Sequence, residues 1–202
     1  MIREACVENY DQALAAHKKG VERIELCDYL ACGGTTPSFG VIRKSIENID
    51  TPIMVIIRPR GGDFVYSQDE VEIMLDDIRV CKELGAHGVV IGALTKDNLV
   101  DTEATSKMLE AAHPMQVTYH KAFDEIENQA SALETLIELG CHRILTSGGK
   151  ETAMEGAERL KQLTEQAGDR IIILTAGKVT KENLPELMKL IPAKEFHGKL
   201  IV

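Results

Sequence analysis

From one end to the other, the chain alternates short β-branched apolar runs with longer stretches whose apolar residues recur every three or four positions. The runs Ile2–Cys6, Glu22–Cys27, Ile53–Arg58, Gly88–Gly92, Met115–His120, Arg143–Thr146, Ile171–Thr175 and Lys194–His197 predict eight strands. The stretches between them predict helices. Over Ser67–Leu84, Ser67 and Glu70 have the spacing of a capping box and Gly85 supplies the stop. Thr36 ahead of Pro37 and Asp101 ahead of Thr102 predict further starts, and Gly20, Gly140 and Gly168 predict stops. The helix after Thr175 begins at Thr180 or Asn183, with Pro185 compatible with either first turn.

Eight units in 202 residues leave about 25 residues each, the small end of what a (β/α)8 TIM barrel requires. A doubly wound sheet would typically have about five or six strands and a glycine-rich turn after the first, where this chain reads Val7-Glu8-Asn9. A single (β/α)8 barrel domain over residues 1–202 is therefore expected. Links after helices are brief, as in Leu84-Gly85-Ala86-His87, while residues 28–37 and 59–66 after strands 2 and 3 are long. Barrels place function on that strand-to-helix face. After the eighth strand the sequence has no room for an eighth helix, so the eighth is expected to be absent or truncated. An apolar flank is expected beside the first and seventh helices, covered by a further copy in a homo-oligomer or by more C-terminal chain.

Charge narrows the partners. The net charge of −9, spread along the chain with eight aromatics (four Tyr, four Phe), lacks the basic footprint of a nucleic-acid binder. No run approaches the ~18 to 20 apolar residues of a membrane span. Arg3, Glu4 and Glu8 stand where a signal peptide would be apolar. Five scattered cysteines suggest no disulfide framework. A cytoplasmic, reducing setting is expected, with no nucleic-acid or membrane partner.

Glu4-Ala5-Cys6 and Glu25-Leu26-Cys27 end neighbouring strands with an acid and a thiol two apart, hence on one face. If they point inward, Cys6 and Cys27 form a candidate metal site for a soft ion such as copper(I). The plain alternative is that each is a small buried hydrophobe. Cys32, in a loop, is a more remote third sulfur. Arg58 and Arg60, two apart before Gly61-Gly62, suit an anion, although Arg58 could instead neutralise Glu25 or Glu4. His120, followed four residues later by Asp124, suits acid–base work, and strand parity points Lys121 the other way. Glu195 and His197 repeat the two-apart spacing at strand 8. Ser147-Gly148 and Gly177, after strands 6 and 7, have the makings of a phosphate turn or of any tight turn.

The string Ile57-Arg58-Pro59-Arg60-Gly61-Gly62-Asp63-Phe64, with Glu25-Leu26-Cys27 and residues 33–38 before it and residues 120–124 and 145–148 after it, resembles the CutC family of copper homeostasis proteins. The resemblance covers essentially the whole chain. It implies a (β/α)8 barrel, a cytoplasmic role in copper handling, and Cys6 and Cys27 as the family's strand-end candidates for Cu(I). Lys121 stands where the family usually has arginine. Two functions follow as expectations. One is a copper protein with Cu(I) on Cys6 and Cys27. The other is a barrel enzyme acting on a small phosphate or carboxylate, with Glu25, Arg58 and His120 catalytic and Arg60, Asp124, Ser147, Gly148, Gly177 and His197 holding the ligand.

Overall fold

Every apolar run forms a parallel strand, and the alternation of side chains along each strand builds two separate cores. A computed structural model describes residues 1–202. The strands are β1 (Ile2–Val7), β2 (Arg23–Leu26), β3 (Ile53–Ile56), β4 (Gly88–Ile91), β5 (Gln116–Tyr119), β6 (Arg143–Thr146), β7 (Ile172–Thr175) and β8 (Glu195–Gly198). They close in sequence order into one barrel, sealed where β1 pairs with β8 through Glu4 and His197. The helices are α1 (Tyr10–Lys18), α2 (Phe39–Asn48), α3 (Gln68–Leu84), α4 (Thr102–Ala112), α5 (Gln129–Leu139), α6 (Ala157–Ala167) and α7 (Leu184–Leu190).

The outward-facing set, including Ile24, Leu26, Val55, Val89, Ile91, Ile144 and Phe196, packs under the helices in the main core. Burying each such side chain stabilises the fold by roughly 1.5–3 kcal/mol. The other set fills the barrel interior. Met54, Ile56 and Val90 pack there with Cys6 and Cys27, while Leu145, Leu174 and Ala176 form a second patch.

Most predicted helix ends hold. Ser67 and Glu70 make the reciprocal capping box of α3, Gly85 closes it at φ 82°, and Asp101 caps α4. Thr36 does not start a helix. Its amide donates to the Arg58 carbonyl at 2.9 Å and its hydroxyl accepts the Arg58 amide at 2.9 Å, so its capping atoms are spent on the chain beyond β3. Ser38 caps α2 instead. At α7, Asn183 is the residue before the helix, and Thr180 and Asn183 exchange bonds with each other. No helix follows β8. Met188 (46%), Leu190 (45%) and Leu200 (68%) are exposed, and a 350 Å³ groove runs between α1 and residues 199–202.

Candidate functional site

The site rests on an ionic floor that sequence reading did not identify. Arg23 bridges Glu4 and Glu195, the latter at 2.5 Å, while Arg143 donates to Glu195 at 3.0 Å and to Gln116 at 3.0 Å. All are inward-facing positions on β1, β2, β5, β6 and β8. A buried carboxylate without a cation is costly, so this lattice lets acids stand inside the barrel. The available signal was parity: Arg23 lies two before Glu25, and Glu195 two before His197.

Above the floor the sulfur wall assembles. Cys6 pairs in register with Glu25, so the stagger between β1 and β2 sets a carboxyl beside one thiol with Cys27 above it. The two Sγ atoms are 3.9 Å apart. His197 reaches the same point from β8, with Nδ1 2.8 Å from Glu4 and Nε2 3.4 Å from Glu25. Two overlapping sets, Cys6–Glu25–Cys27 and Glu4–Glu25–His197, each hold their ligand atoms within 4.8 Å of one another.

Protonation follows from this crowding. The Cys27 hydrogen bond, opposed by burial and aided by His197, holds Cys6 well below the ordinary thiol range, and the same bond with burial pushes Cys27 well above it. Burial, reinforced by the charge on Cys6, raises Glu25 well above a normal carboxylate. Burial would also raise Glu4, but the His197 bond and Arg23 outweigh it and hold Glu4 at about 2. Burial disfavours the His197 cation, yet Glu25, Cys6 and Glu4 overcome that and raise it. The wall therefore favours negative charge on Cys6, a proton on Cys27 and positive charge on His197.

Arg58 and His120 form the opposite wall. Arg58, 3% exposed, pairs with neither Glu25 nor Glu4; Arg23 and Arg143 serve the buried floor acids. Its guanidinium donates to the carbonyls of Cys32, Gly34 and Gly62 at 2.9, 3.1 and 2.6 Å, and lies 4.7 Å above the Phe64 ring. His120 is not oriented by Asp124. Its Nδ1 accepts the Ala122 amide at 3.1 Å, and burial together with Arg58 lowers it to about 3, which keeps the ring neutral. Lys121 departs from the expected outward direction because the strand gives way to a 3-10 turn at Lys121–Glu125, ending the two-residue alternation. Its Nζ reaches Ser147 Oγ at 2.5 Å and Asp124 at 2.7 Å, on the rim.

Arg60, Asp124 and the Ser147-Gly148 turn do not line the cavity of Cys6, Arg58 and His120, whereas Gly177 lines an adjoining one with Cys6, Lys121 and His197. Arg60 turns away from the mouth, bonding Glu70 at 2.5 Å and Asp63 at 3.1 Å. Asp124 accepts from the amides of Ser147 (3.1 Å) and Gly149 (2.9 Å) and from the Ser147 hydroxyl (2.9 Å). The amide nest that would cradle a phosphate is thus filled by the protein's own carboxylate. Gly148 adopts φ 71°, its amide donating to Thr146 Oγ1 at 2.9 Å. Gly177 adopts φ 103°, and a Cβ there would lie 2.7 Å from Ser147 Cβ, so this glycine lets the two turns pack together. Cys32 donates its thiol to the Tyr29 carbonyl at 3.1 Å. Cys6, Glu25, Cys27, Arg58, His120, Lys121 and His197 do converge, around one cavity of 260 Å³ that also meets Phe64 and Leu145.

This architecture has close relatives. The profile of the CutC family matches residues 1–202. The human copper homeostasis protein cutC homolog is 44% identical over 196 residues, covering 97% of this chain and 72% of the human protein. A family protein CutC of Enterococcus faecalis is 46% identical over 209 residues, covering 100% of both. A crystal structure of a CutC protein from Streptococcus agalactiae superposes with a TM-score of 0.95 at 39% identity, covering 100% of both chains. The aldolase QR15 shares the barrel at a TM-score of 0.73, covering 98% of this chain and 89% of its own, but its 12% identity speaks for fold alone. With the profile spanning every residue and relatives matched along almost all of the chain, this protein belongs to the CutC family.

Proposed function

We propose that this protein is a cytoplasmic copper-handling protein that holds Cu(I) as cargo between Cys6 and Cys27 at the barrel mouth. The observation that carries the reading is the 3.9 Å separation of the two sulfurs beside an open cavity. Metal–thiolate bonds are about 2.3 Å long, so one ion can touch both sulfurs without backbone movement. Thiolate sulfur selects Cu(I) over hard cations, and the hydrogen bond from Cys27 that lowers Cys6 favours its ionised, metal-binding form. Glu25 is near enough to serve as a third donor after losing its proton.

The reading extends the relatives' copper association to this chain. Anaerobic titration against a chromophoric Cu(I) chelator tests it. One Cu(I) per chain is expected, falling below detection when Cys6→Ser and Cys27→Ser are combined. Unchanged stoichiometry in the double variant removes the proposal.

A further inference from the structure

The mouth cavity offers more than a copper ion uses. Its 260 Å³ approaches the ~300 Å³ at which small-molecule sites begin. The sulfurs occupy one wall only. On the other, Arg58 is buried with no carboxylate partner, its hydrogen bonds going to backbone carbonyls that leave its charge uncancelled. His120 is 5% exposed, and because Nδ1 accepts the Ala122 amide, its proton sits on Nε2. That Nε2 is buried and has no partner. An unpaired buried donor costs about 1–3 kcal/mol, and a guanidinium repels cations, so neither group is satisfied by copper.

We propose that this wall binds a small organic carboxylate, with one carboxylate oxygen accepting from His120 Nε2–H and the negative charge facing Arg58. Lys121, its ammonium held by Ser147 and Asp124, lines the same cavity at the rim. The body of the ligand lies against Leu145 and Ile56, apolar residues that line the same cavity. A carboxylate fits better than a phosphate for a physical reason. Phosphate sites in barrels use free backbone amides, and here the Ser147 and Gly149 amides are taken by Asp124. The burial that keeps His120 neutral keeps Nε2 a donor across the physiological range.

The test uses the full chain, reduced and metal-free, so its outcome is independent of the copper reading. Pyruvate, oxaloacetate and citrate serve as carboxylate probes and inorganic phosphate as the anion control, followed by saturation-transfer NMR and by the ¹⁵N signals of labelled histidine. The expected result is binding of at least one carboxylate with a shift confined to His120 Nε2, weakened at least tenfold in His120→Phe and largely retained in His120→Gln, which keeps an N–H. Should His120→Phe not fold, the His120 ¹⁵N shift in the unaltered chain and the retained binding in His120→Gln decide. Failure of all three carboxylates, an unmoved His120 signal, undiminished binding in a folded His120→Phe, or equal binding of phosphate at His120 overturns the proposal.

Discussion

His120 and His197 lie on the same cavity and are driven in opposite directions. His120 resists a second proton through burial beside Arg58, and His197 is surrounded by the carboxyl groups of Glu4 and Glu25 and the sulfur of Cys6. In the unfolded chain both titrate near 6.5. Between pH 6.5 and about 3 the unfolded chain binds a proton at position 120 that the folded chain refuses, so stability falls as pH drops through that window. The raised His197 works the other way. Its contribution is full below 6.5 and is lost as pH rises through its folded value. Each unit of difference corresponds to roughly 1.4 kcal/mol. Denaturant unfolding from pH 4 to 9 is expected to show a flattened acid limb in His120→Gln and a flattened alkaline limb in His197→Gln; limbs parallel to those of the unaltered protein in both variants would contradict these assignments. Cys6, Cys27 and His197 were legible because two-apart spacing at strand ends survives translation into a shared face. Arg60 misled because a run that looks like strand parity continues past Ile56, where the chain has left the sheet.

At the level of elements, ends were read best where a side chain caps its own helix. Removing the Ser67 hydroxyl from the α3 capping box by Ser67→Ala is expected to lower stability by about 1 kcal/mol, seen as a lower denaturation midpoint with an unchanged slope. Sequence reading failed at Thr36, whose hydroxyl bonds the strand-end backbone across 22 residues, a partner that no local spacing announces. It failed at Lys121 for a related reason, since the 3-10 turn replaces the strand period just where parity was being counted. The β6–α6 turn carries its own prediction. Asp124→Ala takes away the carboxylate held by the Ser147 and Gly149 amides, and the vacated nest is expected to acquire affinity for inorganic phosphate, detectable as ³¹P line broadening absent from the unaltered protein. No broadening in a folded variant would show that the turn needs Asp124 to keep its shape.

Over the whole molecule, the barrel was legible because both faces of its strands are buried and the strand–helix period repeats through the chain. The charged floor was not, since Glu195 joins the Arg23–Glu4 pair of β2 and β1 only when β8 closes against β1. Arg23→Ala would leave Glu4 to His197 and Glu195 to Arg143 alone, and with one of each buried carboxylate's cations removed it is expected to cost up to about 3–5 kcal/mol, read by denaturant unfolding at pH 7. The groove between α1 and residues 199–202 suits either a second copy or further C-terminal chain as its cover; a second copy predicts at least twice the chain mass in light scattering, and a clean monomer would contradict that version. The central claim concerns the two sulfurs, and copper-edge X-ray absorption of the Cu(I)-loaded chain addresses it most directly. The account predicts two sulfur neighbours at about 2.3 Å that disappear together in the chain carrying Cys6→Ser and Cys27→Ser; a copper shell of nitrogen and oxygen alone, or sulfur neighbours that persist in that variant, would contradict it.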